Sequence, residues 1–232
     1  MLLEREKDIL NIIIKEYVKR AKPISSDYLK KRYKLDVCPA TIRNDMHRLS
    51  EKGYLSQFYI SGGRVPTSKA YKMFAEEVLE NLSEKSDFLS LVEQIHGSSE
   101  NDFEFISLIT KSLADYSCSF AFTYYQNHSY KEGWKQIIQN PEFSKIKALK
   151  NFLRILDELE ENIEELIEND FKIKVYIGKE KDINLKDFSL IVGQTVFPEN
   201  QKGILALIGP DRTDYTKNIE IMNSLIKALE KT

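Results

Sequence analysis

The order of predicted elements in the first eighty residues constrains the fold of this chain more than any other sequence feature. Apolar residues recur at three- and four-residue steps in residues 2–21, as on one face of a helix, until Lys22-Pro23 ends the pattern. Ser25 or Ser26 can cap a short second helix, and Pro39 suits the first turn of a third. The predicted elements are helices over residues 2–21, 27–32 and 39–52 and strands over residues 54–60 and 65–67. Three helices followed by a hairpin indicate a winged helix-turn-helix.

The third predicted helix has an apolar face and a polar face. Ile42, Met46 and Leu49 share the face that packs inward. On the other face, arginine can bind guanine and asparagine can bind adenine, while threonine and arginine can bind phosphates. This face therefore predicts DNA recognition, although an ordinary solvated helix face has a similar composition. Its residues are Ala40, Thr41, Arg43, Asn44, His47 and Arg48.

The predicted hairpin has a glycine tip, Gly62 and Gly63, followed by Arg64. Glycine permits a close approach of the backbone to another molecule, and arginine can enter a narrow minor groove. We interpret the tip as a wing that contacts DNA, with a plain surface hairpin as the alternative. Ser25 or Ser26, together with Lys69, can reach phosphates beside it.

Charge is distributed unevenly along the chain. The first 72 residues contain 16 Lys and Arg against 8 Asp and Glu, a net charge of +8, and the remaining residues carry −10. A basic head on an acidic body is typical of a nucleic-acid-binding regulator. A winged helix that docks a protein is the alternative, but such a module needs no basic surface.

Composition disfavours several other classes of protein. The 232 residues include two cysteines, Cys38 and Cys118, and three histidines, which excludes a disulfide scaffold and a zinc site made of cysteine pairs. No apolar run approaches the roughly 18–20 residues of a membrane span, and the start of the chain has no apolar secretory segment. We find no nucleophile–base pair and no phosphate-binding glycine loop. We therefore predict a cytoplasmic protein that is not an enzyme and has no metal or cofactor.

The remainder of the chain predicts an α+β body. Its apolar patterns indicate, in order, a helix, a β-rich run, a long helix, three strands and a last helix. The apolar stripe of the long helix, over residues 144–169, is either core or a dimer seam, and its acidic faces are interpreted as solvated. The predicted domains are a winged helix at residues 1–80, a polar linker with one short helix at 81–102, and the body at 103–232.

These motifs resemble the HrcA family of heat-inducible transcription repressors. Residues 39–46 are similar to the family's "ATIRN-M" recognition helix, and residues 53–55 and 61–67 to its helix exit and wing. Three body segments are also similar to the family, at residues 133–143, 175–180 and 208–215. The chain departs from the family pattern at Cys38, where a Ser cap is usual, and at Asp211 and Thr213, which replace Thr and Met.

The resemblance implies a repressor of heat-shock and chaperone operons that binds double-stranded DNA at an inverted-repeat operator. It also implies assistance by the chaperonin GroEL and a GAF-like regulatory domain after the winged helix. Because specificity over a genome generally requires two half-sites, we predict a homodimer that forms through the body or the long helix. The body is reduced, because residues 124–132 lead directly to Gly133 without the family's inserted dimerisation domain. The alternatives are a winged-helix protein-interaction module, or another DNA-binding regulator that has lost heat-shock control.

Overall fold

A computed structural model describes residues 2–34, 36–57, 62–82, 88–179, 184–197 and 200–231. The chain divides into two compact units, Met1–Ala75 and Glu76–Thr232. We call these the head and the body. The predicted strand over residues 54–60 and the predicted turn at Ser61 lie partly outside the described residues, as does part of the linker predicted at 81–102.

The head is a winged helix-turn-helix, which confirms the predicted order. Its elements are α1 (Glu4–Arg20), α2 (Ser26–Tyr33), α3 (Pro39–Glu51), β1 (Leu55–Ser56), β2 (Val65–Pro66) and the first turns of α4 (Ser68–Glu80). The two strands are antiparallel, with Leu55 opposite Pro66. Ile42, Met46 and Leu49 of α3 are all buried, as the helical periodicity predicts.

The body is an α+β unit built on one antiparallel sheet. Its helices are α5 (Leu89–Ser98), α6 (Asp102–Ser117), α7 (Trp134–Gln139), α8 (Ile146–Glu161), α9 (Ile163–Glu168) and α10 (Tyr215–Leu229), with a 3-10 turn at Pro141–Phe143. Its strands are β3 (Phe120–Tyr125), β4 (His128–Glu132), β5 (Ile173–Lys179), β6 (Asn184–Phe197) and β7 (Gln201–Pro210). They are arranged in the order β4-β3-β7-β6-β5.

Helices cover both faces of this sheet. On one face, Phe152 and Leu156 of α8 join a buried cluster with Phe120, Phe122 and Leu190 of the strands. On the other face, α6 and α10 lie against β3 and β6. The hydroxyl of Thr110 donates to that of Thr123 at 2.8 Å, a buried bond that joins α6 to β3. The central sheet therefore supplies a two-sided core, typical of an α+β domain.

Two parts of the body differ from the prediction, and a third agrees with it. The long helix predicted over residues 144–169 is interrupted at Asn162, whose side-chain amide donates to the Glu158 carbonyl at 2.7 Å. The segment at 124–132 forms a hairpin, with Gln126 and Asn127 at the turn in left-handed conformations. The short helix predicted near residues 88–95 is α5, which buries Val92 and Ile95.

No helix among the described residues is long and apolar enough to cross a membrane.

Candidate nucleic-acid interface

The outward face of α3 carries the residues that the sequence singles out for DNA recognition. Thr41 is half-buried near the start of the helix. The imidazole of His47 lies 3.6 Å from the carboxylate of Glu51, an ion pair only when the histidine is protonated. The exposed members of the face are Ala40, Arg43, Asn44, His47 and Arg48. One helix thus presents two guanidinium groups, an amide and an imidazole to solvent.

An ion pair between an exposed arginine and a buried carboxylate anchors α3 to α1. Asp45 is only 1% exposed. Arg5 of α1 donates to both of its carboxylate oxygens, from Nε at 2.7 Å and from Nη2 at 3.1 Å. Arg48 lies 3.8 Å from the same carboxylate. A paired geometry of this kind fixes the angle between two groups as well as their distance, so the orientation of α3 depends on Arg5.

A second buried carboxylate connects α1 to the end of α3. Glu6 is fully buried and accepts hydrogen bonds from Lys52 Nζ at 2.6 Å and from the Leu3 N–H at 3.0 Å. These two bonds hold the pKa of Glu6 below its ordinary value, against the opposing effect of burial. Lys52 is the residue that ends α3. The predicted recognition helix is therefore anchored to α1 at its middle, through Asp45, and at its C-terminal end, through Lys52.

A third carboxylate joins α1 to α2. Glu16 is 4% exposed and accepts hydrogen bonds from the hydroxyls of Tyr28 and Tyr33, the latter at 2.7 Å. The bond from Tyr28 lowers the pKa of Glu16, whereas burial and the bond to Glu16 raise the pKa of Tyr33 to about 12. Three of the eight acidic residues of the head thus point inward, which leaves its exposed surface more basic than the net charge suggests.

The base of the wing is joined to the segment between α1 and α2. Ile24 and Arg64 form an antiparallel bridge, with N–H to carbonyl distances of 2.9 and 2.8 Å. A Cβ placed on Gly63 would lie 2.6 Å from the Ile24 backbone, far inside van der Waals contact. Glycine is therefore required at position 63 because the backbone there lies close to the backbone of Ile24. This corrects our interpretation of Gly63 as a point where the backbone approaches DNA.

The side chain of Arg64 is also placed differently from the prediction. We expected its side chain to project from the wing, but it is only 9% exposed. Nη1 donates to the Arg43 carbonyl at 3.4 Å, and Nε has no hydrogen-bond partner among the described residues. Burial lowers the pKa of Arg64, and the nearby charge of Arg43 lowers it further. The backbone bridge to Ile24 turns the side chain of Arg64 inward, where it contacts the backbone of α3 at Arg43.

The three other predicted contacts differ in their accessibility. Ser26 is buried at 6% exposure in the first turn of α2, because Ser25 is the cap and accepts from the Tyr28 N–H at 3.2 Å. Gly62 is exposed. Lys69 is exposed, with Nζ 2.8 Å from the Lys52 carbonyl.

Sequence reasoning missed the residues that anchor α3. Arg5 and Glu6 lie 40 and 46 positions away from Asp45 and Lys52, and no local pattern connects them. One signal was available, since Asp45 lies between Ile42 and Met46 on the inward face of an amphipathic helix. A carboxylate at such a position requires a buried partner.

The Cys38 thiol lies at the start of α3 beside this face. It is exposed, and its Sγ is 3.3 Å from the Thr41 hydroxyl. The contact with Thr41 lowers the pKa of the Cys38 thiol. Among the described residues, no group of His, Cys, Asp and Glu is placed to hold a metal ion.

Two family profiles match the chain. The one described as "Winged helix-turn-helix transcription repressor, HrcA DNA-binding" matches residues 1–80. The one described as "HrcA protein C terminal domain" matches residues 72–219. Together they cover the head and most of the body.

Individual proteins show the same similarity. The heat-inducible transcription repressor HrcA of Thermodesulfovibrio yellowstonii is 25% identical, over 100% of this chain and 98% of that protein. The protein of the same name from Chloroflexus aggregans is 45% identical over 82 residues, which are 35% of this chain and 22% of that protein. A crystal structure of a hypothetical protein at 2.2 Å resolution has the same fold, with a TM-score of 0.80 at 17% identity over 100% of this chain and 98% of that one.

The alignment with the Thermodesulfovibrio protein is longer than this chain. It runs over 345 positions, whereas the chain has 232 residues. A long stretch of that protein therefore has no counterpart here.

Proposed function

This chain belongs to the HrcA family of winged-helix transcription repressors, and on that premise we propose that it represses transcription by binding an inverted-repeat operator through α3. The observation that carries the proposal is the exposed face of α3, held in a fixed orientation by Arg5 and Lys52. A recognition helix must present its side chains rigidly to the major groove, so anchoring the helix at its middle and at its C-terminal end serves DNA reading directly. Its relatives are named heat-inducible transcription repressors, and the family resemblance points to heat-shock and chaperone operons as the regulated genes.

Arg43 and Asn44 are the proposed base contacts. A guanidinium can donate two bonds to guanine, and an amide can pair with adenine in the same way. Thr41, His47 and Arg48 lie on the same face and bind nearby phosphates or base edges. The like charge of the buried Arg64 beneath Arg43 strengthens the positive potential of this face toward a phosphate backbone.

The wing contributes fewer direct contacts than its sequence suggests. Exposed Gly62 can bring its backbone N–H to a phosphate, and Lys69 retains donors for another, since an ammonium has three. Gly63, Arg64 and Ser26 serve instead as positioning residues, because close packing or burial withdraws them from the surface.

The proposal includes a homodimer. A single winged helix reads few base pairs, and specificity over a genome generally requires two half-sites. GroEL is included as the chaperone partner through the family resemblance alone. The working location is the cytoplasm, where operator DNA is accessible, and the role requires neither an enzymatic centre nor a cofactor.

Binding to labelled duplexes over a salt series tests the proposal. We expect the inverted repeat to bind about 10³-fold or more tightly than a scrambled duplex. Arg43→Ala should cost about 1–3 kcal/mol on the repeat. Arg43→Lys keeps the charge but loses the paired bonds to guanine, so it should retain non-specific binding and lose specificity. Lys111→Ala, at an exposed position on α6, makes the same charge change outside the head and should have no effect.

Two results would contradict the proposal in different ways. Equal binding of both duplexes with a steep salt slope would make the head a basic nucleic-acid binder without sequence recognition. Absence of binding to either duplex by the folded chain would favour the protein-docking alternative.

A further inference from the structure

Helix α8 has a second apolar stripe that the core does not use. Its buried face, with Phe152, Ile155, Leu156 and Leu159, packs on the sheet. Beside that face lie Ile146, Leu149 and Leu153, spaced by three and four residues and 74%, 41% and 42% exposed. Residues at this spacing form one continuous strip along a helix. The body therefore presents an apolar ridge to solvent.

Helix α7 carries two further exposed apolar side chains. The indole of Trp134 is 42% exposed, and its ring lies 6.1 Å from that of Phe152. Ile138, one turn further along α7, is 81% exposed. Clusters of large exposed apolar side chains mark interaction sites more often than they mark ordinary surface.

The charges beside the ridge are divided by sign. Lys147 and Lys150 flank its first half, and Asp157 and Glu161 continue the same flank toward the end of the helix. All four are exposed, and among the described residues none of them takes part in an ion pair. Helix α8 is thus basic at its start and acidic at its end.

This order opposes the helix dipole. Acidic side chains stabilise the first turn of a helix and basic ones the last, whereas α8 has neither. The stability of the isolated helix therefore does not account for the arrangement. A partner with the reverse order of charges would be complementary to this helix.

A second copy of α8, running antiparallel, is such a partner. Two antiparallel helices can be related by a two-fold axis that is perpendicular to the plane containing them. This axis reverses the direction of the helix but leaves the charged flank of each copy on the same side of the plane. The basic half of one helix therefore faces the acidic half of the other. Parallel pairing would place like charges at the same level. We propose that this ridge is the homodimer interface, with α8 packed antiparallel against α8 of a second chain near Leu149 and Leu153. The inference rests on the proposed function, which requires two copies of the head.

Charge reversal on the full chain, followed by sedimentation equilibrium, tests the interface. Lys147→Glu with Lys150→Glu, and separately Asp157→Lys with Glu161→Lys, should each raise the dimer dissociation constant about tenfold or more. The quadruple variant restores opposite charges across the axis and should return to near the wild-type constant. It also agrees with the helix dipole, so loss of the helix cannot explain a failure. Lys111→Glu, at an exposed position on α6, is the control.

Cysteine cross-linking tests the direction of packing. In a chain with Cys38→Ser and Cys118→Ser, Leu153→Cys lies near the axis and should form a disulfide-linked dimer. Glu161→Cys lies about 12 Å further along each helix and should not. Efficient cross-linking at position 161, double variants that dissociate no more than the control, or a wild-type chain that remains monomeric would each overturn the inference.

The two proposals fail separately. The charge variants should still bind a duplex with a single half-site as the wild type does, while losing the gain from the second half-site. If the interface is wrong, specific binding to the inverted repeat survives in every α8 variant. If DNA recognition is wrong, the dimer forms and no duplex is preferred.

Discussion

Replacing Gly63 by alanine should destabilise the head through the Ile24–Arg64 bridge. The added Cβ would lie 2.6 Å from the Ile24 carbonyl carbon and oxygen and 2.8 Å from its nitrogen, all backbone atoms that have no alternative rotamer. Relief requires the two segments to separate, which breaks two backbone hydrogen bonds of 2.9 and 2.8 Å. At about 1 kcal/mol for each of the two bonds and about 1–3 kcal/mol for overpacking, we expect a loss of about 3–5 kcal/mol.

Amide hydrogen exchange resolved by NMR is the appropriate assay, because it reports the head separately from the body. The N–H groups of Ile24 and Arg64 should lose protection by a factor of about 100 or more, since about 1.4 kcal/mol corresponds to tenfold. Operator affinity should fall as well, because Arg64 would no longer support α3. Gly97→Ala is the matched control: nothing lies within 4 Å of its added Cβ, and alanine favours the helix. Unchanged protection at Ile24 and Arg64 in Gly63→Ala would refute the reasoning.

Three further variants test electrostatic features of the two units. Arg5→Ala should weaken operator binding although Arg5 lies outside the recognition face. Arg5→Lys should retain only part of the affinity, because a lysine cannot make the paired bonds to Asp45. An operator affinity of Arg5→Ala equal to that of the wild type, measured by fluorescence anisotropy, would exclude the anchoring role. Glu16→Gln should make the stability of the head less sensitive to acid. The lowered pKa of Glu16 stabilises the folded head at pH values above the ordinary pKa of a carboxyl group, and this stabilisation is lost as pH falls. Acid unfolding of the head at the same pH in both proteins, followed by exchange of head amides, would contradict this. Burial, with the charges of Glu142 and Asp187, raises the pKa of Asp211 from 3.8 to about 6, so ionisation of this carboxylate destabilises the folded body as pH rises from about 4 to 6. Asp211→Asn should therefore stabilise the body by about 3 kcal/mol at pH 7 and much less at pH 4. A gain in melting temperature that is the same at both pH values would contradict this.

The sequence predicted the parts of the fold that depend on local periodicity. The inward face of α3 follows from the positions of Ile42, Met46 and Leu49, which the helical repeat brings together whatever surrounds them. The central strands of the body were recognised in the same way, since their apolar runs are buried on both faces.

What the sequence did not predict depends on contacts between distant segments. Strand β4 was missed because it is an edge strand whose residues are half-buried or exposed, so it lacks an apolar repeat. The break at Asn162 was missed because the apolar stripe continues across it into α9.

The wing shows the same limit. Gly62-Gly63-Arg64 is locally a plausible exposed tip, and only the bridge to Ile24, forty positions earlier, turns Arg64 inward. The anchoring of α3 by Arg5 likewise depends on a residue pair that local patterns cannot connect.

The β3–β4 hairpin makes the body a receptive scaffold for grafting. Its strands end at Tyr125 and His128, which are paired across the sheet, and only Gln126 and Asn127 separate them. Two paired strand ends lie about 5 Å apart. A domain inserted between them can therefore join the two strands at little cost in chain entropy, provided that its own termini are close together. The register of β3 against β7 is set from Phe120 to Tyr124 and does not depend on the tip. A chimaera with a folded reporter domain spliced between Gln126 and Asn127 should therefore keep both the sheet and the head intact.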